Sequence, residues 1–247
     1  MRTLLRYPGG KSRAVKYLSK YIPGGLDEIC SPFFGGGALE ISLARKGVRV
    51  NAYDSFDELV IFWQQAFHNP LELAESVRKY HPLTKEQFYR MQADILTETN
   101  ELEIAAMFYA LNRSSFSGTT LSGGMSPGHS RFNENSIERL ASSTFDNITI
   151  EKADFSESIP KNSGTFMYCD PPYLVESELY GVKGDKQKGF NHNLLREILG
   201  EADGWVLSYN NHEYICKLYD GYKIVEAEWA YGMNKSKTSN EIVIINE

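Results

Sequence analysis

Short apolar runs recur along the chain, and most are followed by a stretch whose apolar positions repeat every three or four residues. Seven runs read as strands: residues 27–34, 48–53, 148–152, 165–169, 205–209, 223–227 and 242–245. Helical periodicity fits 13–21, 38–45, 58–67, 194–201 and 212–218. A strand–helix alternation of this kind predicts an α/β fold, Rossmann-like, with a mostly parallel seven-stranded sheet covered by helices on both faces.

The stretch 60–147 breaks that rhythm. It reads as helices over 70–79, 85–96 and 103–111, followed by a Ser/Gly-rich segment, SSFSGTTLSGGMSPGHS, over 114–130. A loop this long is uncommon inside a compact domain and is usually functional or disordered. A substrate-recognition insertion and a plain linker both fit.

Composition narrows the class. The 247 residues are 42% apolar, enough for a proper core, and no apolar run reaches the ~18 residues needed to cross a bilayer. Cys30, Cys169 and Cys216 lie far apart in apolar surroundings without metal-ligand spacing, which predicts buried thiols in a reducing compartment and no metal. With no apolar signal segment at the N-terminus, a cytoplasmic protein is expected. The net charge of −6 argues against a surface coated with nucleic acid but leaves room for a local basic face. Arg2, Arg6, Lys11, Arg13, Lys16 and Lys20 supply one, with no acid among residues 1–20; Lys183, Lys186, Lys188, Lys235 and Lys237 form smaller clusters.

Three strand ends carry suitable chemistry. Ser31-Pro-Phe-Phe-Gly-Gly-Gly37 follows the first strand and opens a helix, so its glycines permit close approach of a ligand to the backbone. The dinucleotide fingerprint is incomplete, because its sixth position is Glu40. Asp54 ends the second strand, at the spacing where a ribose would meet a carboxylate. A ribose acid without the pyrophosphate fingerprint favours a nucleoside cofactor lacking pyrophosphate, and S-adenosylmethionine fits. Asp154-Phe155 ends the third strand, where an acid and a ring suit an adenine.

The fourth strand ends on Asp170-Pro171-Pro172-Tyr173. Two prolines remove two backbone donors and fix two φ angles, so the strand must stop there. The motif is then either a rigid turn with a solvated Asp, or a platform aiming a carboxylate, a carbonyl and a ring at one small object.

Taken together, Tyr7-Pro8-Gly9-Gly10-Lys11, Pro32-Phe33-Phe34-Gly35-Gly36-Gly37, Tyr53-Asp54 and Asp170-Pro-Pro-Tyr173 resemble the Dam-like family of DNA adenine-N6 methyltransferases. Leu111-Asn112-Arg113, Phe116-Ser117-Gly118, Asp154-Phe155, Phe190, His192 and the closing Asn240–Asn246 run extend the likeness over nearly the whole chain. Tyr7 stands where the best-known relatives have Trp, Pro8 replaces a small residue, and the Ser/Gly segment does not match them, so no target sequence carries over.

The resemblance implies S-adenosylmethionine as methyl donor and double-stranded DNA as substrate. It implies a catalytic domain of 1–59 with 148–247, and a helical DNA target-recognition insertion over 60–147. Asp170, Pro171, Pro172 and Tyr173 would be catalytic. Tyr7, Pro8, Gly9, Gly10, Lys11, Phe33, Gly35, Gly36, Gly37, Asp54, Asp154, Phe155 and Asp170 would bind the cofactor. Asn112, Arg113, Phe116, Ser117, Gly118 and Arg131 would meet DNA. A restriction endonuclease is a candidate partner, and one complete site per chain suits a monomer.

An adenine exocyclic amine is a poor nucleophile because its lone pair is delocalised into the ring. Acceptors aimed at its hydrogens favour a tetrahedral nitrogen and take up the developing positive charge. Asp170 and the Pro171 carbonyl can supply them, and Tyr173 can stack on a base extruded from the duplex. The cytosine 4-amino group poses the same problem and stays open as an alternative, as do an RNA or protein methyltransferase and a non-catalytic DNA-binding relative. An Asp as first motif residue favours adenine.

Overall fold

The structure, a computed structural model, describes residues 3–128, 131–174, 189–227 and 240–246. The lysine clusters at 183–188 and 235–237 lie outside them.

In chain order the elements are α1 (Val15–Leu18), β1 (Glu28–Ser31), α2 (Ala38–Ala44), β2 (Arg49–Asp54), α3 (Asp57–His68), α4 (Pro70–Arg78), α5 (Lys85–Asp94), α6 (Glu101–Ser114), α7 (Glu134–Ala141), β3 (Ile148–Lys152), α8 (Phe155–Lys161), β4 (Met167–Cys169), α9 (His192–Leu199), β5 (Trp205–Asn210), α10 (Glu213–Leu218), β6 (Lys223–Ala227) and β7 (Glu241–Asn246). One 3₁₀ turn, Phe116–Gly118, follows α6.

The strands form one seven-stranded sheet in the order β3-β2-β1-β4-β5-β7-β6, with only β7 antiparallel to its neighbours. This is the expected mostly parallel α/β fold. From β1 the chain builds outward through β2 to β3, then returns to lay β4 on the other side of β1, pairing Cys30 with Met167. The order reverses between β1 and β4, and open α/β sheets bind ligands beyond the strand ends at such a reversal.

Alternation along the strands divides the core. Ile29, Val50, Tyr168, Val206 and Val243 join one apolar cluster; Cys30, Met167, Cys169, Leu207 and Ile244 join the other. Helices α8, α9 and α10 cover the second face through Ile159, Leu195, Leu199, Ile215 and Tyr219. On the first face, α3 bridges the sheet to α4, α5, α6 and α7: Phe62 stacks on Tyr109 at 5.7 Å and 14°, and Phe108 and Phe88 bury fully in the same cluster. The helical block therefore extends one face of the sheet and shares its core.

The helix expected over 13–21 shrinks to the four residues of α1, flanked by turns in which Ala14 and Tyr21 donate to Lys11 and Leu18 carbonyls. Two helices escaped the periodicity. α7 is polar and announced only by a capping box in which Asn133 and Ser136 bond reciprocally; α8 is short, capped by Asp154 and contains Pro160.

The Ser/Gly segment is not a bare linker over its described part. Ser115 bridges Met125, Phe116 N–H donates to Gly124 O at 2.9 Å, and Ser126 N–H donates to Ser114 O at 2.8 Å. Gln92 of α5 donates to Thr120 O and Gly123 O at 2.7 and 2.9 Å. Gly118 has φ 80°, and a Cβ there would lie 2.1 Å from the Arg6 carbonyl oxygen. Gly118→Ala should therefore destabilise the fold by about 2–4 kcal/mol, through strain and displaced backbone. Chemical denaturation reads this directly, and an unchanged midpoint would show that the loop does not dock on the N-terminal segment.

Candidate active site

The glycine loop is shaped from both sides. Gly35 (φ 49°) and Gly37 (φ 61°) occupy left-handed backbone; a Cβ on Gly37 would fall 2.4 Å from the Phe34 ring, and one on Gly35 would fall 2.8 Å from the Tyr7 ring. Gly35 O accepts from Trp63 Nε1 at 2.9 Å, and Phe34 N–H donates to Tyr53 O at 3.0 Å. Asp54, at the end of β2, accepts from Gly35 N–H at 2.9 Å and from Phe56 N–H at 3.0 Å. The expected ribose acid thus also ties the glycine loop to the start of α3.

The N-terminal motif lies across this loop. Gly10 N–H closes a turn on Tyr7 O at 3.0 Å, with Gly9 at φ 68°. The turn sends Lys11, only 4% exposed at its side chain, toward the end of β4. Its ammonium sits 2.7 Å from Asp170 Oδ1 and 2.9 Å from Oδ2, donates to Gly9 O at 2.9 Å, lies 3.8 Å from Glu241 Oε2, and hangs 4.8 Å over the Tyr173 ring centre.

Asp170 is held from behind. Ser208 Oγ of β5 donates to Oδ1 at 2.9 Å, and Tyr168 OH lies 3.0 Å from Ser208 Oγ. Burial first, then the Asp170 charge, pushes the Tyr168 phenol far up, so it stays neutral. Tyr173 stacks on Tyr209 at 5.8 Å and donates to Glu241 Oε2 at 2.7 Å, while Tyr209 OH meets His192 Nδ1. Asn210 clamps the residue after the motif, accepting from Leu174 N–H and donating to Leu174 O. Asp170 is therefore a braced carboxylate, and the freely solvated turn can be set aside.

A cavity of about 410 Å³ runs from Tyr7, Pro8 and Lys11 past the glycine loop and Asp54 to Asp154, Phe155 and Asp170. Of the motif residues, Asp170 and Pro172 line it; Pro171 is buried, and Tyr173 lies beyond Asp170 against β5. Gly9 does not line the cavity and acts through its carbonyl on Lys11. At the far end Phe33, Phe155 and Phe190 pack against one another as an apolar wall of the cavity, with centroids 5.1–5.9 Å apart. Asp154 sits at its rim, where Oδ1 caps α8 by accepting from Ser156 N–H and Oγ at 3.0 and 2.6 Å.

Among the residues expected to meet DNA, Asn112 departs from that role. It is fully buried, accepting from Arg6 N–H and donating to Arg6 O, Gly118 O and Thr120 Oγ1. It is a fastener between the N-terminal segment and the loop, and Gly118 is packed into the same joint. Of the others, Arg113 is half-buried, and Phe116, Ser117 and Arg131 stay exposed. Phe116 is 63% exposed, Ser117 follows it at φ 54°, and Arg113 donates twice to the Arg131 carbonyl.

Burial, and after it the charges of Arg139 and Arg131, pushes the Arg113 guanidinium down. Burial and the neighbouring Arg131 and Arg113 push Arg6 down to about 10. These arginines form a cluster with no acid in ion-pair contact among the described residues.

Sequence patterns did not single out Glu40, Tyr168, Ser208 and Glu241 as site residues. Glu40 was visible as the acid spoiling the glycine fingerprint; the others lie on strands whose apolar pattern masked them. Among the described residues there is no cluster of three or more metal-ligating side chains, and no helix is long and apolar enough to cross a membrane.

Residues 7–233 match the family described as D12 class N6 adenine-specific DNA methyltransferase. The chain is 24% identical over its full length to the Type II methyltransferase M1.LlaDCHI of Lactococcus lactis subsp. cremoris, covering 95% of that protein. It is 22% identical, over 98% of its length and 96% of the relative's, to the Type II methyltransferase M.CviBI of Paramecium bursaria Chlorella virus NC1A.

Proposed function

Because the chain belongs to the D12 class of N6 adenine-specific DNA methyltransferases, we propose that the cavity between the glycine loop and Asp170 holds S-adenosylmethionine, and that Asp170 faces an adenine extruded from duplex DNA. Adenine as the target sets the cytosine and RNA alternatives aside. The observation that carries the site reading is Asp170 itself: a carboxylate at the cavity wall, fixed by Lys11 and Ser208, directly before two residues that lack an N–H.

The cavity fits the donor. Its volume lies in the usual range for small-molecule sites, its aromatic wall suits an adenine face, and Asp54 suits ribose hydroxyls, while the loop glycines leave room for the Tyr7 and Phe34 rings that shape the cavity. Bound there, S-adenosylmethionine supplies an electrophilic methyl group on a sulfonium.

The chain's own residues do the rest. Asp170 and the Pro171 carbonyl accept from the adenine amine, drawing nitrogen toward tetrahedral geometry and stabilising its growing charge. Lys11 lies against both Asp170 oxygens and Ser208 donates to Oδ1, so Oδ2 keeps an acceptor site for the base amine, and Glu241 and Gly9 O help to hold the ammonium. Tyr173, fixed by Tyr209 and Glu241, offers a ring for stacking. The amine proton leaves through Asp170 to solvent, and positioning supplies much of the rate.

DNA recognition falls to the helical block 60–147, with Arg6, Arg113 and Arg131 against phosphates or base edges and Phe116 against a base or sugar. Phe116→Ala should weaken duplex binding by roughly tenfold, in line with ~1–3 kcal/mol per stacked base, and leave donor affinity unchanged. Fluorescence titration with a labelled duplex decides it; equal affinity removes Phe116 from the interface. A restriction endonuclease partner, monomeric action and a cytoplasmic site of work are in keeping with the Type II relatives and with one complete site per chain.

Supplying methyl-labelled donor with duplex DNA, RNA and bulk protein together tests this function. Label should enter duplex DNA alone; label confined to RNA or protein would sink it.

A further inference from the structure

Glu40 is the third residue of α2 and only 3% exposed. Glu40 lines the cavity, and its Oε1 accepts from Ser31 Oγ at 2.9 Å while its own N–H adds a second bond to the carboxyl. Among the described residues it forms no ion pair, and the one ammonium nearby, Lys11, is already held by Asp170 and Gly9 O. Its helical neighbours Leu39 and Ile41 are core residues. A carboxyl placed among them without a cation is costly in its ionised form, and an apolar side chain would pack there without that penalty. Its position on a cavity wall points to a cation arriving from the cavity.

Resting on the assignment of this cavity to the methyl donor, we propose that Glu40 is the counter-ion for the ammonium at the amino-acid end of the donor and binds it as a carboxylate.

Burial pushes the Glu40 carboxyl up to about 7, with the Asp170 charge adding to the rise and its own N–H, Ser31 and Lys11 opposing it. The facing groups are Lys11 on the N-terminal turn, Asp170 and Tyr168 on β4, and Ser31 on β1. Lys11 and Asp170 neutralise each other, and Tyr168 stays neutral. In the free protein near neutral pH, Glu40 is thus partly protonated. Binding selects the carboxylate: the O–H bond of Glu40 breaks, its electron pair stays on oxygen, and the proton passes to the buffer. Since the unbound form holds the proton below about pH 7, donor affinity should fall as pH is lowered through that value.

Calorimetry at pH 7, in buffers of different ionisation enthalpy, reads this with S-adenosylhomocysteine, which carries the same ammonium and does not turn over. The expected release is about half a proton per ligand at pH 7, falling as pH rises and passing into uptake where the ligand's own amine must gain a proton to bind as ammonium. 5′-Methylthioadenosine, which lacks the amino-acid tail, should release none. Glu40→Gln, which can still accept from Ser31, should release none at pH 7 and bind S-adenosylhomocysteine at least ~10-fold more weakly at that pH, without the fall in affinity below pH 7. Ser31→Ala removes a bond that favours the carboxylate, so proton release at pH 7 should increase, which a purely structural role would not produce. Wild-type binding without buffer-dependent heat, or Glu40→Gln matching wild type in affinity and proton count, overturns the proposal. Failure of the wild type to bind S-adenosylhomocysteine at all overturns the cavity assignment, and this inference with it.

Discussion

Asp170→Ala should lower kcat by about 10³-fold, close to 4 kcal/mol of transition-state stabilisation, while the affinity for the methyl donor changes little. The expectation follows from what the carboxylate does for the amine and from how firmly it is aimed. Lys11, buried at the N-terminal turn, and Ser208, on the core strand β5, fix its plane. The variant also leaves the Lys11 ammonium buried, with Gly9 O and a more distant Glu241 as partners, and loss of one member of a buried pair typically costs about 3–5 kcal/mol. Thermal stability should therefore be read alongside turnover. Asp170→Asn keeps the shape and the Ser208 bond but turns one acceptor into a donor, so it should lose a similar share of rate at a smaller loss of stability. Single-turnover rates at saturating donor separate chemistry from binding. Near-normal turnover in either variant would remove Asp170 from the amine.

The second large effect belongs to Asp54. Its carboxylate holds Gly35 N–H and Phe56 N–H, so Asp54→Ala loosens the glycine loop as well as deleting acceptors for the ribose. Charge-assisted bonds are worth about 1.5–3 kcal/mol each, so the dissociation constant for S-adenosylmethionine should rise by at least ~10–100-fold. Asp54→Asn should fall between, because an amide keeps one acceptor and turns the other toward an N–H as a second donor. Direct titration of donor into each variant gives the constants. Unchanged affinity would place the ribose elsewhere and reduce Asp54 to a loop fastener.

Much of this was legible in the chain. A buried strand such as Trp205–Asn210 leaves an unbroken apolar run and the edge strand Ile148–Lys152 an alternation, and glycines or prolines at strand ends mark places where backbone must do something unusual. The motif ending on Tyr173 could be read because prolines constrain locally. The rest depends on contacts between residues distant in sequence. Lys11 meets Asp170 across 159 positions, and Ser208 reaches Asp170 across 38; nothing near either residue announces the pair. Asn112 looked polar and near arginine, but bonds to Arg6 and Thr120 turn it inward, where an amide satisfies three backbone groups at once. Helices α7 and α8 were missed because they span only 8 and 7 residues, too short for a period to stand out, and their starts are written in caps.

The Ser/Gly segment illustrates the same limit from the other side. Its composition suggests a chain without order, yet Gln92 and the Ser115–Met125 bridge give it a defined path that leaves Phe116 exposed at its edge. Side-chain capture of backbone carbonyls by a helix about 30 residues earlier cannot be foreseen from the loop's own residues.

The most direct measurement is the identity of the modified base. Unmethylated duplex DNA incubated with the enzyme and S-adenosylmethionine, then digested to nucleosides and separated by mass, should yield N6-methyladenine, and the Asp170→Ala enzyme should yield none above background. N4-methylcytosine in its place, or N6-methyladenine formed equally by the variant, would contradict the account.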